Sequence, residues 1–198
     1  DLDAVVSEYA QGVVEPGDIL FVTEKIVAIT QGRSYALDEI QPRSLARFLS
    51  RYVTKTSYGI GLGMPETMEM ALRECGTPRI LFAAAVSAVT KLFGRRGDFY
   101  RIAGDRARAI DGPTDGTIPP YDNAVVLGPI EPDAVSMRIK HLLGDVAEVA
   151  VVDINDIGGN ILGSTLDKAG EQRLVRILAD NPLGQGTQST PMGVIRKG

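Results

Sequence analysis

The stretch that most limits how this chain can fold is Val149 to Asn160, which reads Val-Ala-Val-Val-Asp-Ile-Asn-Asp-Ile-Gly-Gly-Asn. Its opening residues are apolar and mostly β-branched, a shape that packs well on a pleated surface, so Glu148 to Val152 is predicted to be a buried strand. That strand leads straight into Asp153, Asn155 and Asp156, and then into two glycines. Hard oxygen donors at the mouth of a buried strand, beside backbone free to turn, suit a magnesium or manganese ion facing phosphate. The same residues suit an acidic turn in which Asp and Asn bond their own backbone. Spacing alone leaves both readings open.

Around this strand the chain mixes helical and extended patterns. Leu2, Val5, Val6, Tyr9 and Val13 recur at helical spacing and predict an amphipathic helix over residues 2 to 13, broken by Pro16-Gly17. Asp18 to Val22 reads as a strand, and Thr23 as the cap of a helix from Glu24 to Thr30. Helices are also expected over Pro42–Val53, with Leu45, Phe48, Leu49 and Tyr52 on one side, and over Glu66–Cys75, where Pro65 suits the first turn. Ile80–Phe93 reads as strand then helix, and Phe99–Ala103, Ala107–Ile110 and Asn123–Leu127 as strands. Glu131–Leu143 and Asp167–Leu178 read as helices, and Met192–Arg196 as a closing strand. Strands and helices alternate without a strict βαβ rhythm, which predicts an α+β fold with mixed or antiparallel sheets and packed helices. Residues 1–198 are expected to form one unit, with a break near 104–123 that would separate two subdomains.

Bulk properties exclude several functions. At 198 residues and 44% hydrophobic content the chain can bury a real core. A net charge of -4 argues against a nucleic-acid partner, which calls for a basic face. No apolar run approaches the roughly 18 residues that cross a membrane. The sequence opens at Asp1 without a charged-then-apolar leader, giving the expectation of a cytoplasmic protein that lacks a few native N-terminal residues. Cys75 is the sole cysteine, so an internal disulfide and a thiolate metal cluster are excluded. His141, the sole histidine, falls in the last turn of a predicted helix, where a cation suits the dipole. Chemistry here must rest on carboxylates, amides, hydroxyls and Lys or Arg.

Other motifs carry two readings each. Gly59-Ile-Gly61-Leu-Gly63 does not complete a dinucleotide fingerprint and reads as a flexible loop. Arg95, Arg96, Arg101, Arg106 and Arg108 match phosphate oxygens in geometry, but a run interrupted by Asp98 and Asp105 also describes a solvated face. Asp111 follows a possible strand, and a second strand-end aspartate is what a two-part metal site needs. Leu183-Gly-Gln-Gly-Thr-Gln-Ser-Thr190 offers backbone amides and hydroxyls that can wrap phosphates, or forms a surface loop.

Taken together, these segments resemble the coenzyme F-420-0:L-glutamate ligase (γ-glutamyl ligase) family. The resemblance begins at Pro16-Gly-Asp-Ile-Leu-Phe-Val-Thr-Glu-Lys-Ile-Val-Ala-Ile-Thr-Gln-Gly-Arg33. It continues through Ala109-Ile-Asp111 and the strand ending in Asp153, and closes with Leu183-Gly-Gln185 and Pro191-Met-Gly-Val-Ile-Arg196. It implies a γ-glutamyl ligase-like α+β fold and an intertwined homodimer. The implied reaction uses GTP (or ATP) and a divalent metal, Mg2+ or Mn2+, to join L-glutamate to a small deazaflavin-like carboxylate through an acyl phosphate. By resemblance, Asp111 and Asp153 match the metal-binding aspartates, with Asn155 or Asp156 standing in for the threonine that Ile154 replaces. Gln185 matches a ligand in the C-terminal nucleotide loop, here Leu183, Gly184, Gln185, Gly186 and Thr187. Thr23, Glu24 and Lys25 fall in a nucleotide-contacting stretch. A family lysine corresponds to Ile29, an asparagine to Thr114, and the family's leucine-proline segment is not found before Asp1. Those departures keep a second reading in view, a non-catalytic family member that binds a phosphorylated or flavin-like ligand.

Overall fold

The computed structural model describes residues 1–53, 61–95, 97–113, 119–155, 158–179, 182 and 190–197, with the backbone alone at 154, 155, 158 and 159. In chain order its first elements are α1 (Leu2–Tyr9), β1 (Ile19–Thr23), α2 (Glu24–Thr30), β2 (Ser34–Ala36), α3 (Ser44–Ser50), α4 (Pro65–Glu74) and α5 (Thr77–Leu92). Then follow α6 (Asp98–Ala103), α7 (Asp105–Arg108), β3 (Ala124–Val126), α8 (Pro132–Leu142), β4 (Glu148–Asn155), β5 (Gly158–Ser164), α9 (Lys168–Leu178) and β6 (Met192–Ile195). The class is α+β, as the mixed sequence pattern predicts. The chain divides into unit 1, residues 1–33 and 129–198, and unit 2, residues 34–128. Segment 104–123 lies inside unit 2.

Unit 1 is built on a four-stranded mixed sheet in the order β5-β4-β1-β6. β1 runs parallel to β4, while β6 and β5 pair antiparallel with β1 and β4 respectively. The Val149–Val152 run lacks polar alternation because both of its faces are covered. Val149 and Val151 join Leu20 and Val22 under Leu2 and Val6 of α1, Val27 of α2 and Ile139 of α8. Ala150 and Val152 join Phe21 under Leu174 and Leu178 of α9. Each fully buried Val or Leu stabilises by about 1.5–3 kcal/mol relative to exposure, so this strand is a main source of unit 1's stability.

Unit 2 pairs β2 with β3 antiparallel and packs α3 to α7 around Leu62, Met68, Leu72, Ile80, Ile110 and Val125. Two buried acids stand in it among the described residues, Glu69 and Asp98. Glu69 is 2% exposed and accepts from Nε of Arg43 at 2.9 Å and Nε of Arg73 at 3.0 Å.

Several local expectations are corrected. Ile80–Phe93 contains no strand: α5 is helical throughout, entered through Gly76 and Pro78, because its alanines favour helix. Phe99–Ala103 is the helix α6, not a strand. Asp98 starts it and binds Arg101 one turn on, at 3.0 Å, overriding the β-propensity of Phe99, Tyr100 and Ile102. Ala107 and Arg108 belong to α7, so Ala107–Ile110 is not a strand either. The first helix stops at Tyr9, after which Tyr9 and Val13 are exposed. The helix expected over Pro42–Val53 spans Ser44–Ser50, because the Arg43 N–H is taken by Glu69, and Phe48 and Tyr52 face outward. Among the described residues no helix is long and apolar enough to cross a membrane.

Candidate site at the carboxyl ends of β1 and β4

In a sheet with parallel strands, the carboxyl ends are where loops of different origin meet and where ligands are commonly held. β1 and β4 are such a pair, and Thr23 is in register with Val152. Adjacent strands lie about 4.8 Å apart, so the residues that follow, Glu24 and Asp153, are neighbours at this end. Glu24 opens α2. β4 instead continues through Asp153 to Asn155, and Asp153 pairs with Asn160 of β5. The sequence reading that ends the strand at Asp153 is therefore corrected. The two glycines, Gly158 and Gly159, are in β5 and not in a free turn. By the two-residue alternation of β4, Asp153 shares the side of Val149 and Val151, the side on which α2 packs through Val27.

Thr23 is also not the cap it was expected to be. Its side chain makes no capping bond to α2; its hydroxyl donates instead to the Pro191 carbonyl at 3.3 Å, as does its N–H at 3.0 Å. That double contact pins the start of β6 against the end of β1. Pro191, just before β6, is thus held at the same end of the sheet as Thr23, Glu24, Lys25 and Asp153. Three regions far apart in sequence meet there.

Asp111 lies in unit 2. Its backbone bridges Val126, donating at 2.9 Å and accepting at 3.0 Å, just after the buried Ile110. Asn155 is the last residue of β4, and its side chain lies outside the description, as do Asp156, Thr114, Leu183, Gly184, Gln185, Gly186 and Thr187 entirely. Among the described residues no three His, Cys, Asp or Glu side chains gather as a metal-holding group. The donors at the strand end, Glu24 and Asp153, are hard carboxylates. They fit a divalent cation of the magnesium or manganese type, which takes one or two carboxylates and keeps water in its remaining positions.

The remaining sequence candidates have structural duties. His141 Nδ1 stands 3.0 Å from Asp145 Oδ1, both exposed at the end of α8. Cys75 is half-buried at the end of α4, and burial pushes its thiol pKa up, away from reactivity. Arg95 and Arg101 both bind Asp98, whose carboxyl is held low by Thr90, then by Arg95 and Arg101. Arg106 and Arg108 pair with Glu74 and Asp105. Arg96 lies outside the described residues. β5 was missed in sequence because Gly158, Gly159 and Gly163 read as breakers; the apolar pair Ile161-Leu162 was the signal available.

A sequence model of the family described as F420-0:Gamma-glutamyl ligase matches residues 1–162. The match takes in Thr23 to Lys25, Asp111 and Asp153 and stops short of α9 and β6. No curated protein matches the chain.

Proposed function

The chain belongs to the F420-0:gamma-glutamyl ligase family, and from that premise we propose that it forms a γ-glutamyl-type amide on a small deazaflavin-like carboxylate, with L-glutamate as the amine and GTP or ATP as the energy source. The substrate carboxylate attacks the γ-phosphorus and the nucleoside diphosphate leaves, giving an acyl phosphate. The glutamate amine then attacks the acyl carbon, inorganic phosphate leaves, and the amine gives up its proton. Most of the catalytic demand is positioning and neutralising phosphate charge. Asp153, with Asn155, Asp156 and Gln185, would hold Mg2+ or Mn2+; Asp111, in unit 2, is a metal-ligand candidate by the family resemblance alone. A divalent cation bound there supplies neutralisation of the transferring phosphoryl group. Thr23, Glu24, Lys25, Thr114 and residues Leu183 to Thr187 would border the nucleotide, with Lys25 as the cation closest in sequence to the strand end. A homodimer in the cytoplasm belongs to the same reading.

The observation that carries it is the meeting of Thr23–Lys25, Asp153 and Pro191 at one end of one sheet. The test is to incubate the purified chain with F420-0, L-glutamate, GTP and manganese and to follow the glutamylated product by mass and the phosphate released. Asp153→Asn is expected to lose at least about a hundredfold in rate with an unchanged melting temperature, since even outer-shell partners of a metal are worth about 10–100-fold. No product and no calorimetric nucleotide binding in either metal would sink the proposal. Ile29, half-buried in α2 where the family carries a lysine, favours the second reading, a binder without ligase activity. It predicts nucleotide or flavin-type binding without glutamate-dependent phosphate release in the same assay.

A further inference from the structure

Unit 2 carries an open pocket of about 420 Å3 lined by Arg47, Ser50, Arg51, Val53, Gly63 and Pro65. None of these lining residues is acidic. Arg47, in the last turn of α3, and Arg51, its C-cap in αR conformation, are four residues apart and both line the pocket. Arg47 Nε donates to the Pro42 carbonyl at 3.3 Å, a neutral contact, and among the described residues no carboxylate pairs with it. Glu69, the buried acid of the facing α4, is already shared by Arg43 and Arg73. The floor is firm: Ser50 is 4% exposed and donates to the Arg47 carbonyl, and Gly63 ends a short 3-10 turn whose Leu62 is fully buried.

Two like charges held a turn apart weaken a helix on their own, and an anion between them reverses the sign of the interaction. The planar guanidinium fork matches phosphate oxygens two at a time, and the pocket lies within the size range of small-ligand sites. We propose that this pocket binds the phosphoryl group of an organic phosphate, with Arg47 and Arg51 as the binding pair and Val53 and Pro65 as its apolar wall. The inference goes beyond the strand-end reading and does not rest on Asp153.

The test is calorimetric titration of the full chain with inorganic pyrophosphate. Binding is expected to be saturable and to weaken in about 0.5 M sodium chloride. It should fall at least about tenfold in Arg47→Gln/Arg51→Gln, be partly retained in Arg47→Lys/Arg51→Lys, which keeps charge but not the fork, and be unchanged in Asp153→Asn. Titrations with GDP and with flavin mononucleotide then separate the two sources of phosphate, the true one being whichever loses affinity in the glutamine variant. No saturable pyrophosphate binding would overturn the proposal. So would equal affinity in wild type and a glutamine variant that melts at the same temperature.

Discussion

Two of the buried carboxylates, Asp18 in unit 1 and Glu69 in unit 2, each tie separate elements together. Asp18, 2% exposed at the head of β1, accepts from the Glu15 N–H at 2.9 Å and from Arg196 Nη1 at 2.7 Å, tying the entry of the central strand to the exit of β6. Glu69 ties α4 to α3 in the same manner, through both the side chain and the backbone N–H of Arg43. Burial alone would raise the Glu69 carboxyl, but the bonds from Arg43 and Arg73 outweigh it and hold the group below its ordinary 4.5. A carboxyl with a depressed folded pKa binds fewer protons in the folded state than in the unfolded one. Its stabilisation is therefore complete above the unfolded value and lost as pH falls through the folded one. The urea midpoint is expected to drop from about pH 5 downward, and Glu69→Gln should flatten that part of the profile. The same substitution should cost about 1–3 kcal/mol at pH 7, since it weakens two charge-assisted bonds in a buried place. A midpoint that is level from neutral to acid, or a variant as stable as wild type, would contradict the assignment. Neither acid is singled out in the sequence: Arg73 lies one turn from Glu69, but Arg43, its other partner, is 26 residues away, and Arg196 is 178 from Asp18.

At the scale of elements, sequence was most informative where a local device sets a boundary. Pro65 and Pro132 stand at first turns, and the Asp167 side chain accepts from the Gly170 N–H at 2.7 Å to cap α9. Such signals act within one turn and need no distant partner. Expectations failed where tertiary contacts decide. Phe99, Tyr100 and Ile102 look extended by composition, yet pack from a helix against the core of unit 2. The candidate site was legible in its parts, since Thr23, Glu24 and Asp153 are quotable from sequence. The parallel register that makes them neighbours was not, because it joins residues some 130 positions apart. β5 shows the same limit from the other side. Gly163 looks like a breaker, but it is there because β5 passes directly under the first turn of α8. A Cβ on it would lie 2.3 Å from the Asp133 nitrogen and 2.3 Å from the Pro132 carbonyl carbon. The Ser136 hydroxyl spans the same contact, 3.1 Å from the Gly163 carbonyl and 3.0 Å from that of Pro132. Both sides are backbone and neither can yield cheaply. Gly163→Ala should therefore cost about 1–3 kcal/mol or more by overpacking, read as a lowered urea midpoint. Gly144→Ala is not a fair control, because Gly144 has a positive φ. Gly12→Ala is, since a Cβ there meets nothing within 4 Å, and it should be close to neutral. If Gly163→Ala were equally neutral, the close approach of β5 and α8 would be wrong.

At the scale of the molecule, the chain enters unit 2 once and leaves it once, and the ends of both pieces are held together locally. Inside unit 2, Ser34 pairs with Val126, so the first and nearly the last residues of the insert sit opposite each other on β2 and β3. Inside unit 1, the Gln31 side chain donates to the Ile130 carbonyl at 2.9 Å and accepts from the Ile130 N–H at 2.8 Å, clasping the two ends left when the insert is removed. Each unit also has its own apolar core, two faces of one sheet in unit 1 and a helical cluster in unit 2. Close termini and a private core are the conditions under which an inserted domain folds by itself. Residues 34–128 expressed alone are expected to unfold cooperatively in urea and to give a dispersed NMR spectrum. Unit 1 with 34–128 replaced by a short Gly-Ser linker is expected to do the same. Failure of either piece to show a cooperative transition would mean that the two cores are not independent, and the division at 33/34 and 128/129 would be geometric only.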